Sequence, residues 1–314
     1  MNCERIHIVL ASDDNYAQHV AVVAVSILCN TQSKDRVCFH LLSDGIGNFK
    51  LDLIRQSIIN LGAEIVVYDL SKCQSFDQLF TSGHISKAAY FRLDIANLLS
   101  KDIKKAIYLD VDLLVLGDIV DLWNEDMCDK PIAATMDLGI MASSRLMKIK
   151  KQSIGLEDDG KYFNAGVLVI DLDKWRKYDY SKEVIKEAIS NEFLHHDQDA
   201  LNRVFMNNWS EIPLKWDVIP PIYNLAPKIL VNRALFAKAV AARNNVCIWH
   251  YAGRYKPWEF ENTSGFNDKY YLYLKETSFA DAVMPIKGRN MKGKSLFRQK
   301  LRLKIAELIC GSKK

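Results

Sequence analysis

The sequence predicts an α/β protein with a single mixed, mostly parallel sheet flanked by helices, followed by a basic amphipathic C-terminal tail. Three observations support this fold class. Short apolar runs alternate with longer helix-like segments over residues 1–115, which is the pattern of parallel strands joined by crossover helices. The hydrophobic content of 49% allows a substantial core. Positive charge is concentrated in the last residues, 287–314.

The elements follow a regular order in the first half of the chain and a mixed order in the second. Strands are predicted at 6–11, 37–42, 63–69 and 105–109, and helices at 17–30, 48–61 and 87–99. After Asp112, strands are predicted at 131–135 and 166–170, and helices at 181–190 and 197–207. No long Gly/Ser linker separates the halves. We therefore expect one domain over residues 1–280 in which residues 1–115 and 116–280 share a sheet.

The cysteines indicate a reducing compartment. Seven are scattered along the chain without a C-x-x-C pair, at Cys3, Cys29, Cys38, Cys73, Cys128, Cys247 and Cys310. An odd number cannot all pair within one chain, so we expect reduced and mostly buried thiols. The first residues contain no apolar signal segment, and the apolar run 19–29 is shorter than the roughly 20 residues that span a bilayer. These features predict a cytosolic protein.

The C-terminal tail differs in charge from the rest of the chain. Residues 287–314 contain ten Lys or Arg and one acid, Glu307, so the tail carries +9 and the remainder −5 of the total of +4. Apolar residues between Leu296 and Ile309 alternate with basic ones in an imperfect amphipathic helix pattern. We expect residues 281–314 to associate with an anionic membrane surface. A terminal helix packed on its own domain is the simpler alternative, and nucleic acid is a weaker one, so no nucleic acid partner is predicted.

Two carboxylates follow an apolar run in the middle of the chain. Asp110 and Asp112 end the segment Ile107–Asp112. In an extended strand residues i and i+2 share a face, so both aspartates can converge on one hard cation. Such a pair is a weak signal by itself, because a solvated turn has the same composition. The first predicted strand is not followed by a glycine-rich phosphate loop. A cation that neutralises a diphosphate would supply the missing phosphate site.

Seven motifs occur in a fixed order along the chain. They are Ala11–Ala17, His84–Ser86, Tyr90–Arg92, Tyr108–Asp112, Phe163–Val167, Asp197–Asp199, and Trp249–Tyr251 followed by Lys256–Trp258. Together they resemble glycosyltransferase family 8, which includes lipopolysaccharide and lipooligosaccharide α-galactosyl- and α-glucosyltransferases and glycogenin. The resemblance spans roughly residues 5–260. It implies a GT-A fold in which residues 1–115 bind the nucleotide sugar and residues 116–280 bind the acceptor.

The resemblance also implies the site residues. The metal ligands would be Asp110, Asp112 and His250, a set that suits Mn²⁺, with Mg²⁺ also possible. The donor would contact Ala11, Asp13, Asn15, His84, Arg92, Asp110, Val111, Asp112, Asn164, Ala165, Asp197, Gln198, His250, Gly253 and Lys256. Lys256 would bind the diphosphate. The catalytic residues around the transferred sugar would be Gln198, Asp197 and Asp137.

Each of these residues has a structural alternative when it is considered alone. His250 follows an apolar run and could be a hydrogen-bonded core histidine. Asp13 or Asn15 could cap a helix, as could Asp197. Arg92 and Lys256 could be surface charges. These alternatives remain open at the level of sequence.

The activity that the resemblance implies is Mn²⁺-dependent transfer of galactose or glucose from a UDP-sugar to a saccharide, with retention of the α configuration. The acceptor would be a lipid-linked lipopolysaccharide or lipooligosaccharide core at the inner face of the cytoplasmic membrane. Gln198 is a poor nucleophile, which favours same-face attack over double displacement. His195–His196 and residues 252–255 depart from the family pattern and leave the donor hexose and acceptor open. The alternatives are extension of a glycan on a protein adhesin, a non-enzymatic UDP-sugar-binding membrane-associated scaffold, and a phosphohydrolase.

Overall fold

The computed structural model describes residues 4–76, 79, 86–253, 256–259, 266–280 and 294–310. The strands are β1 (Ile6–Asp13), β2 (Val37–Asp44), β3 (Glu64–Asp69), β4 (Lys105–Leu109), β5 (Leu113–Val115), β6 (Ile132–Met136), β7 (Phe163–Asp171), β8 (Ser210–Glu211) and β9 (Ile248–His250). The helices of the first half are α1 (Ala17–Cys29), α2 (Asn48–Ile59), α3 (Ile95–Leu98) and α4 (Ile119–Trp123). Those of the second half are α5 (Leu138–Met141), α6 (Ser144–Ile154), α7 (Leu172–Lys177), α8 (Tyr180–Ser190), α9 (His196–Val204), α10 (Pro220–Tyr223), α11 (Pro227–Val231), α12 (Arg233–Asn244), α13 (Asn267–Lys275) and α14 (Lys294–Cys310).

The central sheet has seven strands in the order β3-β2-β1-β4-β7-β6-β8. The strands β3, β2, β1 and β4 are parallel, β7 runs antiparallel to both β4 and β6, and β8 is parallel to β6. This confirms the mixed, mostly parallel sheet. β5 and β9 form a separate two-stranded antiparallel ribbon in which Leu113 pairs with His250. Three-residue strands leave too short a pattern to be predicted from sequence.

Alternating side chains of the sheet supply two apolar layers. On one face Ile8, Leu10, Ile107 and Leu109 pack with α1, whose residues Ala17 to Leu28 are all buried. On the other face Val9 and Tyr108 pack with α7 and α9. The sheet is therefore covered on both sides, as parallel sheets require. Its uncovered edge at the carboxyl ends of β1 and β4 is where α/β folds bind ligands.

Helix boundaries agree with the sequence predictions to within a few residues, with one difference in type. The segment predicted as a helix over 87–99 is a 3₁₀ helix over Lys87–Asp94 followed by the short α3. Residues three apart align in a 3₁₀ helix, and Arg92 Nε accordingly donates to Ala89 O at 2.8 Å. The tighter turn thus fixes the direction of the Arg92 side chain.

The described cysteines and helices test two further expectations. Six cysteines are free, as predicted, but only Cys38 and Cys247 are buried, so the expectation of mostly buried thiols is wrong. Cys29 lies at the exposed end of α1 and Cys128 in an exposed turn. Among the described residues, none of the helices has the length and apolar character needed to cross a bilayer.

Candidate active site

The site is assembled by residues that follow the carboxyl ends of strands. Asp110 and Asp112 lie in the three-residue connection between β4 and β5, and not along an extended strand as the sequence argument assumed. The chain bends there because its backbone is held on both sides. Asp110 N donates to Gly166 O at 2.8 Å, and Tyr251 N donates to Asp112 O at 2.9 Å. These bonds fasten the connection to β7 and to the residue after β9.

Three potential ligands meet at this point, and we call Asp110, Asp112 and His250 the metal cluster. Their ligand atoms all lie within 4.8 Å of one another. His250 Nε2 is 3.2 Å from Asp112 Oδ1 and 3.9 Å from Asp110 Oδ2. Two carboxylates and one imidazole are a donor set that suits Mn²⁺ and, less well, Mg²⁺. The residues therefore fit a divalent cation.

Asp217 positions His250 by contacting the ring nitrogen that faces away from the metal cluster. The fully buried Asp217 carboxylate lies 2.9 Å from His250 Nδ1 through its Oδ1. Such a carboxylate keeps the proton on Nδ1 and directs Nε2 to the cluster. Although burial disfavours the imidazolium, Asp112 and Asp217 raise the pKa of His250 well above its usual value. A bound cation would take the place of the Nε2 proton. Asp217 belongs to none of the sequence motifs, so no signal predicted it.

Arg92 is buried in the site, so its interpretation as a surface charge is wrong. Its Nη2 lies 2.8 Å from Asp110 Oδ1, and Nη1 donates to Ala165 O at 2.8 Å. The guanidinium also stacks 4.6 Å from the centre of the Tyr108 ring, whose hydroxyl donates to Asp110 Oδ1 at 2.9 Å. One oxygen of Asp110 is thus held by Arg92 and Tyr108. The other, Oδ2, is left to face His250.

Asp197 presents a buried carboxylate oxygen that accepts no hydrogen bond from the described residues. Asp197 Oδ2 is 2.9 Å from Arg92 Nε, but that N–H points to Ala89 O. Burial raises the pKa of Asp197, and the Arg92 charge opposes this effect. Asp197 Oδ2 is therefore held in the site by the charge of Arg92 and not by a hydrogen bond.

Gln198, Asp137 and Asn164 contact one another in the structure. Gln198 Nε2 donates to Asp137 Oδ2 at 3.0 Å, and Gln198 Oε1 accepts from Ala165 N at 3.0 Å. Asn164 Nδ2 donates to the same Asp137 oxygen at 3.2 Å. Asp137 Oδ1 caps α5 by accepting from Ile140 N at 3.0 Å. The Gln198 amide is consequently fixed at both of its ends.

The remaining predicted residues differ in how closely they join the cluster. Lys256 Nζ pairs with Asp112 Oδ2 and donates to Tyr251 O at 2.7 Å. This side chain is only 12% exposed, so it is not a surface lysine. Val111 lies between the two aspartates and is half-buried. Gly253 is exposed with φ +93°, a conformation that favours glycine.

The first strand–helix loop has a structural role of its own. Asp13 Oδ1 accepts from Asn15 N at 2.9 Å and from Tyr16 N at 3.2 Å. Asp13 is therefore the N-cap of the short 3₁₀ helix Asp14–Tyr16, which precedes α1. Asn15 is exposed, and Ala11 is buried near the end of β1. Capping uses one carboxylate oxygen and leaves the other available. The predicted residue His84 lies outside the described residues.

Gly166 is a site residue that the motif contained but whose role the sequence did not reveal. A Cβ at this position would overlap His250 Cε1 and would lie 2.9 Å from both Asp110 Oδ2 and His250 Nδ1. Its carbonyl oxygen accepts from Asp110 N at 2.8 Å, and its N–H donates to Asn164 Oδ1 at 2.8 Å. Two ligands of the metal cluster therefore close over a position where only glycine fits.

Comparisons with known proteins identify the family and the fold. A family model described as Glycosyl transferase family 8 matches residues 7–262. General stress protein A of Bacillus subtilis (strain 168) is 32% identical over 283 residues, 88% of this chain and 95% of that protein. A lipopolysaccharide 1,3-galactosyltransferase of Salmonella typhimurium is 25% identical over 311 residues, 95% of this chain and 88% of that protein. The galactosyltransferase LgtC in complex with donor and acceptor sugar analogues has a TM-score of 0.76 at 26% identity, over 94% of this chain and 100% of that one. The structural similarity confirms the predicted GT-A-like α/β fold.

Proposed function

The chain belongs to glycosyltransferase family 8, and we propose that it transfers galactose or glucose from a UDP-sugar to a saccharide with retention of the α configuration. The observation that carries this proposal is the metal cluster, which is paired with Lys256 and is joined through Arg92 to the buried carboxylate of Asp197. A cation and a lysine suit a diphosphate, and a carboxylate suits sugar hydroxyls. The similarity to a lipopolysaccharide galactosyltransferase supports a hexose as the transferred group.

The metal cluster would hold Mn²⁺. When bound, that cation would act as a Lewis acid that neutralises charge on the leaving diphosphate. The residues of the chain prepare the site. Arg92 holds Asp110 in position, Asp217 orients His250, and Lys256 adds a positive charge beside Asp112. Because these groups are buried or nearly so, they are already oriented before the donor arrives.

Same-face attack fits the contacts of Gln198. A double displacement requires a free nucleophile, whereas the Gln198 amide already bonds Ala165 N and Asp137. In the proposed reaction the acceptor oxygen forms a bond to the anomeric carbon as the bond from that carbon to phosphate breaks. The acceptor proton passes to the departing phosphate oxygen, so UDP and the glycoside are the products. Asp197 would orient the transferred sugar, and Gln198 would line the sugar site.

The helix α14 supports a lipid-linked acceptor. Phe297, Leu301 and Leu308 lie on one side of this helix, within about 40° of one another at 3.6 residues per turn. Their exposed fractions are 68%, 46% and 85%. The exposed Lys300 and Lys304 lie along one edge of this group, whereas Ala306 on the opposite side of the helix is fully buried. We call Phe297, Leu301 and Leu308 the apolar stripe.

An outward apolar stripe with lysines along one edge is an arrangement that suits a helix lying in the surface of an anionic membrane. We accordingly place the enzyme at the inner face of the cytoplasmic membrane, with residues 281–314 as the membrane-associating tail. Residues 1–115 would bind the donor and residues 116–280 the acceptor. A lipopolysaccharide or lipooligosaccharide core saccharide would then be presented at the same surface.

A donor screen tests the proposed function. Purified protein is incubated with each UDP-hexose, Mn²⁺ and a truncated lipopolysaccharide core, UDP release is measured, and the product is analysed by NMR. We expect acceptor-dependent UDP release and an α-linked product. Asp112→Ala should be inactive, whereas Asp102→Ala, which removes an exposed carboxylate, should behave like wild type. Release of inorganic phosphate would indicate a phosphohydrolase, donor binding without turnover would indicate a scaffold, and a β-linked product would contradict retention.

A further inference from the structure

A second group of metal-ligating side chains lies at the amino-terminal ends of β1 and β2. The ligand atoms of His7, Cys38 and His40 all lie within 4.8 Å of one another. The parallel register pairs His7 with Cys38, and Cys38 and His40 are two residues apart on β2, so all three side chains share one face of the sheet. Along β1, His7 is separated from Asp13 by roughly 20 Å at 3.3 Å per residue. The group is therefore separate from the active site.

The two imidazoles are already arranged around a shared position. His7 Nδ1 lies 2.9 Å from His40 Nε2, a distance that one N–H bridges. The other nitrogen of His40, Nδ1, is 3.0 Å from the Tyr68 hydroxyl. With the Nδ1 proton donated to Tyr68, the Nε2 lone pair of His40 faces His7 and Cys38. A carbonyl or hydroxyl partner of this kind is the usual outer support of a metal-bound histidine.

A cation bound by the group would release the Cys38 thiol proton and replace the proton shared by the two histidines.

We propose that His7, Cys38 and His40 bind one borderline-soft divalent cation of the zinc class. One thiolate and two imidazoles are the ligands that Zn²⁺ prefers, and three protein ligands leave a fourth tetrahedral position for water. His7 is only half-buried, so water reaches that position, whereas Cys38 and His40 are buried. The cation would join the amino-terminal ends of β1 and β2. The cation would lie at the end of the sheet opposite to the sugar site, so it would take no part in sugar transfer.

Titration with Co²⁺ tests this proposal, since Co²⁺ occupies zinc sites and a thiolate ligand gives a charge-transfer absorption in the near ultraviolet. The full-length protein is first freed of metal with a chelator. We expect wild type to develop the absorption, to saturate within two equivalents because the metal cluster of the active site also takes up Co²⁺, and to lose the absorption when Zn²⁺ is added. Cys38→Ser should abolish it, and Cys247→Ser, which alters the other buried cysteine, should retain it. The metal cluster of the active site has no thiol and cannot produce this signal.

A second variant guards against misfolding. His7→Gln changes the half-buried ligand, so it should leave the fold intact and weaken Co²⁺ binding at least tenfold. Absence of the absorption in wild type, its persistence in Cys38→Ser, or its loss in Cys247→Ser would each refute the proposal. Full Co²⁺ affinity in His7→Gln would do the same. None of these results depends on whether the protein transfers sugar.

Discussion

Replacing Gly166 by alanine tests whether the metal cluster is as tightly enclosed as the structure indicates. The added Cβ would lie 2.9 Å from Asp110 Oδ2 and His250 Nδ1, whereas ordinary contacts begin at 3.4 Å. Asp110 Oδ2 must therefore retreat by about 0.5 Å, and the His250 ring, whose Cε1 the Cβ would overlap, must retreat further, while metal–ligand distances tolerate only about 0.2 Å. We expect cation affinity to fall roughly 10- to 100-fold, as when the outer support of a ligand is lost. That loss corresponds to about 1.4–2.7 kcal/mol.

The assay is isothermal titration of metal-free protein with Mn²⁺, followed by UDP release at saturating Mn²⁺. Gly47→Ala is the matched control, because a Cβ there would meet its nearest atom, Asp14 Oδ1, at 3.6 Å. Thermal unfolding of both variants shows whether the fold is preserved. A folded Gly166→Ala protein that binds Mn²⁺ within twofold of wild type would refute the reasoning. The cation would then bind elsewhere, or the cluster would be looser than its contacts indicate.

Four further outcomes follow from the site and the tail. Alanine in place of any member of the metal cluster should abolish sugar transfer and leave the fold intact. A chelator should abolish transfer by wild type until Mn²⁺ is restored. Full activity in the presence of chelator would contradict the metal assignment. Gln198→Ala should keep measurable transfer activity, whereas Asp197→Ala should lose far more of it, because Asp197 balances the buried charge of Arg92. A glycosyl adduct on Gln198 in mass spectra would exclude same-face attack. Burial lowers the pKa of His19 to about 3, so below pH 6.5 the unfolded chain binds a proton that the native state does not, and the free energy of unfolding should fall by roughly 2 kcal/mol between pH 7 and 5. In His19→Gln, urea unfolding should show a smaller fall in this free energy between the two pH values. The same fall as in wild type would count against His19 as its origin. Serine in place of all three residues of the apolar stripe should release the protein from anionic vesicles in co-sedimentation while soluble-acceptor turnover stays unchanged; equal vesicle binding would exclude the membrane role.

Features that depend on neighbouring residues were predictable from the sequence. The strands β1, β2 and β4 are short apolar runs, and the buried helix α1 is apolar on all sides, so local pattern identifies each of them. The order of strands and helices then gives the parallel part of the sheet. The position of Asp110 and Asp112 after β4 follows from the same pattern, because the apolar run ends there.

Features that depend on distant residues were not predictable. Asp217 is 33 residues from His250 and is paired with it only because Val218 and His250 are bonded through their backbones. Arg92 looks like an ordinary charged residue of a helix until the 3₁₀ turn directs it into the core. The His7, Cys38 and His40 group is likewise created by the register of β1 and β2. Register and burial are tertiary properties, so a single sequence pattern does not contain them.

The charges of the site explain why these distant partners are needed. Four carboxylates form ion pairs there: Asp110, Asp112, Asp197 and Asp217. Arg92 and Lys256 supply two permanent positive charges, so two negative charges remain. Without a cation, the raised pKa of His250 provides one compensating proton. A divalent cation would replace that proton and offset the two negative charges left by these ion pairs. Since buried unpaired charge is costly, the carboxylates of the site favour binding of a divalent cation.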